Sequence, residues 1–105
     1  VPRQFDVFAN PLRDRASYPL VVVLQSPFAE LASTRIVAPA VRSQTASQIG
    51  GVLTPQFVLK GERYTLQTFQ MTSMRVNDLK TWIGNIGDIR DEISAALDRL
   101  FHDNA

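Results

Sequence analysis

The chain has 105 residues, 45% of them hydrophobic, and 11 basic against 10 acidic side chains for a net charge of +1. That length supports one compact core and is too short for two, so a single domain over residues 1–105 is expected. The near balance of charge leaves no global electrostatic footprint for nucleic acid, and the lack of cysteine rules out a disulfide framework or a thiolate metal site. Val1-Pro2-Arg3-Gln4 lacks the apolar core of a signal peptide, and no window reaches the apolar length of a membrane span. A soluble, cytoplasmic protein without direct nucleic-acid binding or membrane contact is therefore expected.

Along the chain, Phe5, Val7 and Ala9 alternate with Gln4, Asp6 and Phe8, the period of a half-buried strand. Asn10-Pro11 breaks it, and the following loop to Tyr18 is polar and basic. Leu20 to Leu24 is continuously apolar and rich in valine, as in a central strand covered on both faces. Ile36 to Val41 is a further strand, in which Pro39 has no amide to give a ladder and so favours an edge or a bulge. Residues 42–51 are small and polar and close on a glycine pair, which reads as a surface connection. Gln56–Leu59 and Arg63–Thr68 flank Lys60-Gly61-Glu62, where glycine permits the positive φ of a tight hairpin. Met71 to Val76 is one more short strand.

Beyond Asn77 the period becomes helical. Ile89, Ile93, Ala96, Leu97, Leu100 and Phe101 recur at three- and four-residue spacing and form one apolar stripe. Asp88 suits the N-cap, with Asp91 three residues on, after the breakers Gly84 and Gly87. Trp82, in the linker before the helix, reads as a packing anchor and only secondarily as a contact. Met71, Met74, Leu97 and Leu100 offer more apolar surface than one core needs, which a two-fold dimer would cover. An antiparallel, barrel-like sheet with one terminal helix follows from this order of elements.

Catalytic chemistry has little to stand on. The only histidine is His102, so neither a histidine pair for a metal nor an obvious triad is present. Asp88, Asp91, Glu92 and Asp98 lie together at spacings that suit capping and solvation. No glycine-rich phosphate loop opens a helix. The chain calls for no cofactor and no metal, and a protein that acts by binding, not as an enzyme, is the expectation.

The order Gln4-Phe5-Asp6-Val7-Phe8, Val22-Val23-Leu24-Gln25-Ser26-Pro27-Phe28, Thr34-Arg35-Ile36-Val37-Ala38-Pro39, Gln70-Met71-Thr72-Ser73-Met74 and Asp91-Glu92-Ile93-Ser94-Ala95-Ala96-Leu97 resembles the CcdB toxin family from residue 3 to residue 102. The resemblance implies a mainly β, α+β fold: an SH3-like barrel of antiparallel strands with one C-terminal α-helix. It further implies the toxin of a type II toxin-antitoxin module, which as a homodimer binds the A subunit of DNA gyrase, traps the cleaved gyrase-DNA complex, and is neutralised by a CcdA-like antitoxin.

Carried over by position, the family's gyrase-contacting residues are here Phe28, Ala29, Asp98, Phe101, His102, Asp103 and Asn104. Candidate contacts for an acidic antitoxin arm are Arg13, Arg15, Tyr18 and Arg42. The chain departs from the family's usual Trp-Gly-Ile ending, with His102-Asp103-Asn104 in its place and Ala105 added. Two other readings accompany the resemblance: a non-toxic CcdB-like homologue that binds antitoxin but not gyrase, and a MazF-like endoribonuclease on the same barrel.

Overall fold

A computed structural model describes residues 2–26, 33–43 and 51–102. The surface connection expected over 42–51 falls mostly outside them, as do Phe28, Ala29, Asp103 and Asn104. Seven strands lie in one antiparallel sheet: β1 (Asp6–Ala9), β2 (Leu20–Val23), β3 (Thr34–Arg42), β4 (Gln56–Leu59), β5 (Glu62–Leu66), β6 (Thr72–Arg75) and β7 (Trp82–Asn85). They are ordered β4-β5-β3-β2-β1-β7, with β6 beside β5 on the same flank of β3, and they curl into a half-barrel. One helix, α1 (Arg90–Phe101), follows β7. The arrangement is the expected mainly β, α+β fold of SH3-like type.

The all-apolar run of β2 is central and buried throughout, as its composition predicts. Leu20, Val22 and Leu24 enter one core with Val7, Ala38, Ala40, Leu66, Phe57 and Ile93 of α1. Val21 and Val23 enter a second core with Phe8, Val37, Met74 and Leu79. The two-residue period of a strand thus feeds two cores from one sheet. β1 departs from its half-buried expectation for this reason: Phe8 is buried in the second core, and Asp6 is buried too.

Pro39 is not at an edge. β3 is nine residues long and pairs with β2 on one side; on the other it pairs first with β6 (Thr34↔Arg75 to Val37↔Thr72) and then with β5 (Ala40↔Leu66 to Arg42↔Tyr64). The amide of Leu24 donates to Ile36 O at 2.9 Å, which places the amides of Ile36, Ala38 and Ala40 towards β2 and those of Val37 and Val41 towards the other flank. The missing Pro39 amide therefore faces the gap between β6 and β5. Its carbonyl is still used there, accepting from Gln67 N at 2.9 Å.

The β4–β5 hairpin has the expected turn, with Lys60 at φ 52 and Gly61 at φ 80, the two positive angles of a two-residue hairpin loop. β5 stops earlier than expected, at Leu66, and Thr68–Gln70 turns as a 3-10 element before β6. The segment read as a linker around Trp82 is strand β7, paired with β1 from Asp6↔Asn85 to Phe8↔Trp82 through a bulge. Gly84 lets this strand approach β4, because a Cβ there would stand 2.9 Å from Leu59 Cδ1.

The apolar stripe of α1 docks as predicted at Ile93 and Ala96, both fully buried, while Phe101 at its end is 65% exposed. Asp88 is not the N-cap. A 3-10 turn, Gly87–Ile89, runs directly into α1, so Ile89 occupies the cap and no side chain bonds there. Asp91 and Glu92 in the first turn and Arg99 in the last still complement the helix dipole. Of the four residues expected to offer spare apolar surface, Met74 belongs to the second core and Met71 and Leu97, partly buried, pack against the first, whereas Leu100 is half-buried and belongs to neither.

Arg35 is 2% exposed, its Nε donating to Pro2 O at 3.3 Å and its Nη1 to Thr34 O at 3.0 Å. It fastens the N-terminal segment to β3. Urea denaturation should separate the two helix positions: Ile93→Ala loses about 2–5 kcal/mol, whereas Asp88→Ala, lacking a cap to remove, stays within about 0.5 kcal/mol of the parent.

Candidate functional site

Two exposed regions carry the residues singled out by sequence. The first is the end of α1. Ile93 and Ala96 lock one side of the helix to the core and Asp98 faces outward, while Phe101, a member of the same apolar stripe, lies beyond the last buried turn and is 65% exposed, next to the exposed His102. Asp98 is three residues from Phe101 and four from His102, so it neighbours both on the surface. His102 Nε2 stands 4.0 Å from Asp98 Oδ1, at the outer limit of an ion pair, and the His102 amide donates to Asp98 O at 2.9 Å. The chain leaves the helix at His102 in extended conformation, φ −126 and ψ 133. An apolar ring flanked by a carboxylate and an imidazole is thus presented at the tip of a rigid helix.

The second region is the turn between β1 and β2. Its 3-10 segment, Arg13–Ala16, is organised by Asn10, which is buried although the sequence marks it only as a strand breaker. Asn10 Nδ2 donates to Asp14 Oδ1 at 2.9 Å and to Tyr18 O at 2.8 Å, and Asn10 Oδ1 accepts from Leu12 N at 3.0 Å. The turn forms the rim of a groove of about 250 Å³ over the second core, lined by Leu12, Tyr18, Val21, Val37, Pro39 and Met74 among others. Of the charged residues on the turn, Asp14 lines the groove; Arg13 and Arg15, on either side of it in sequence, are exposed outside the lining and form no ion pair among the described residues.

The structure brings Arg13, Arg15 and Tyr18 together on this turn. Arg42 lies at the end of β3, two residues past Ala40, which pairs with Leu20, and so at the same end of the sheet as the turn; its Nε lies 2.6 Å from Glu62 Oε2 on β5. Both side chains of that pair are well exposed. Among the described residues, no group of three or more His, Cys, Asp or Glu side chains is placed to hold a metal, and no helix is long and apolar enough to cross a membrane.

The sequence reads Trp82 as a packing anchor, and the structure overturns that: it is 59% exposed on β7. Its Nε1 donates to Asp6 Oδ1 at 3.1 Å. The consecutive Thr81-Trp82-Ile83, three residues that favour strands, is the signal from which this strand was legible, though not the outward direction of its indole.

Among the described residues, a seven-stranded antiparallel half-barrel with a C-terminal helix, an exposed aromatic at the helix tip and an exposed basic turn defines a small protein of the SH3-like α+β fold. A protein-family model described as "CcdB protein" matches residues 4–103. The chain belongs to the CcdB family and so to the toxins of toxin-antitoxin modules. A search of the curated proteins finds no match.

Thermal unfolding should rank the two parts of the basic region. Asn10→Ala removes three bonds from a buried amide and costs about 1–3 kcal/mol, while Arg42→Ala breaks an exposed pair worth about 0–1 kcal/mol.

Proposed function

We propose that this protein is a gyrase-directed toxin: as a homodimer it binds the A subunit of DNA gyrase, traps the cleaved gyrase-DNA complex without catalysing a reaction itself, and is neutralised in the cytoplasm by a CcdA-like antitoxin. The observation that carries the reading is Phe101, an aromatic ring 65% exposed at the end of a helix that Ile93 and Ala96 fix in the core. Such rings supply much of the energy of a protein interface when a partner desolvates them.

Asp98 and His102 beside Phe101, together with Phe28, Ala29, Asp103 and Asn104, make up the gyrase surface in this reading. The chain has His102 where the family usually has tryptophan, so the burden of aromatic contact shifts to Phe101. His102 supplies a smaller ring with two nitrogens able to hydrogen-bond.

Arg13, Arg15 and Tyr18 are the antitoxin surface. Two exposed guanidinium groups on the turn suit acidic side chains of a partner, while Leu12 and Tyr18 of the same turn line the groove and suit apolar ones; Asp14, which also lines it, is held by Asn10. Arg42, already paired with Glu62, is a peripheral member: an acidic partner there has to compete with an existing ion pair.

A DNA cleavage assay tests the reading, with purified protein, ATP, supercoiled plasmid, and gyrase from the source organism as well as a standard enzyme. Protein-dependent linear DNA is expected, and Phe101→Ala should raise the concentration required by about 30- to 1000-fold, the equivalent of about 2–4 kcal/mol, with unchanged thermal stability. No linear DNA with either enzyme overturns gyrase poisoning. Antitoxin binding without linear DNA then identifies a non-toxic homologue, and metal-independent cleavage of single-stranded RNA identifies a MazF-like endoribonuclease.

A further inference from the structure

The strand that carries Trp82 borders a second groove, of about 560 Å³, between the N-terminal segment and β7. Arg3, Asp6, Phe8, Leu79, Lys80 and Trp82 are among its lining residues, none of which also lines the groove beside Arg13 and Arg15. Phe8 and Leu79 are buried members of the second core, so this side of the groove is apolar and held by the sheet.

Asp6 is the one carboxylate in the lining, and it is only 8% exposed. Its two oxygens accept three bonds from within the protein: Oδ1 from Trp82 Nε1 at 3.1 Å and from Asn85 Nδ2 at 3.0 Å, and Oδ2 from Arg3 N at 2.8 Å. The carboxylate thus serves to position the indole. With its single donor engaged, Trp82 has only apolar ring surface left for a partner.

Holding the ring in place before contact reduces the side-chain entropy lost on binding, which is what distinguishes a contact point from a merely exposed aromatic. Arg3 and Lys80 are exposed in the same groove, and neither forms an ion pair among the described residues. An oriented apolar face that shares one groove with two cations, neither ion-paired among the described residues, is complementary to a chain that carries negative charge and an apolar side chain together.

We infer that the Trp82 groove is a docking site for an acidic peptide segment that carries an apolar side chain, with the side chain seated against the indole and its carboxylates facing Arg3 and Lys80. Two cations and one aromatic ring are too few for nucleic acid, which is held by a track of cations with successive stacked bases. The inference is independent of the gyrase reading, since it uses neither the tip of α1 nor the basic turn.

Trp82 is the only tryptophan of the chain and therefore reports on its own site. The full chain is titrated with a capped polyglutamate peptide containing one central leucine, following indole emission. A saturable shift to shorter wavelength is expected, with affinity about tenfold or more weaker in the Arg3→Glu/Lys80→Glu protein at an unchanged thermal midpoint. Should that double variant unfold, Arg3→Ala and Lys80→Ala each serve, and each should weaken binding several-fold. Trp82→Ala should abolish the heat of binding in calorimetry.

The inference is overturned if no saturable change occurs, if charge reversal leaves affinity intact, or if the lysine counterpart of the peptide binds equally well. Equal binding of a polyglutamate without leucine overturns the apolar part of the contact. Tighter binding of oligothymidylate assigns the surface to nucleic acid instead. Neither gyrase nor antitoxin is present in the titration, so its failure leaves the toxin reading untouched, and a failed cleavage assay leaves this groove untouched.

Discussion

The architecture depends on one strand having two partners on the same flank. β3 must satisfy β2 along its length while its other edge passes from β6 to β5, and the passage falls at the residue that has no amide to offer. A proline elsewhere in an interior strand would remove a ladder bond; at Pro39 the sheet has a gap to accommodate it. This handover bends the sheet into a half-barrel and lets β6 deliver Met74 to the second core while β5 delivers Leu66 to the first. The two cores, and the surfaces built over them, follow from that division.

Much of this is legible in the residues. The valine run of β2 announces its burial on both sides, Lys60-Gly61 announces the hairpin, and the three- and four-residue spacing around Ile93 announces the helix and its inner face. What escapes are features that depend on partners far along the chain. Nothing local to Phe8 says that a second layer covers it, because that layer comes from Met74 and Leu79. Asp88 has the chemistry of a cap, but the chain tightens into a 3-10 turn one step early. Arg35 reads as an ordinary strand cation and is in fact buried against the carbonyl of Pro2.

The candidate sites divide along the same line. Exposure of Asp98 and His102 follows from helical geometry once Ile93 and Ala96 are placed inside; that of Phe101 does not, because its spacing puts it in the apolar stripe and it is exposed only because the helix runs past its last buried turn. The clustering of Arg13, Arg15 and Tyr18 is partly legible as a basic loop, but its order comes from Asn10, whose side chain replaces backbone bonds that the turn lacks. Arg42 shares their charge but is already paired with Glu62. Trp82 shows the limit most directly: a large aromatic ordinarily belongs inside, and here a buried carboxylate across the β1–β7 pair holds it out.

The pairing of β1 with β7 joins Asp6 to Asn85, so the earliest of the seven strands to be synthesised waits for the other six before its second neighbour exists. Contacts of such long sequence separation slow folding relative to local ones. Until β7 is made, β1 has β2 as its one strand neighbour, and α1, which follows β7, has not been synthesised. A chain that stops short of β7 therefore lacks both the second neighbour of β1 and the helix tip.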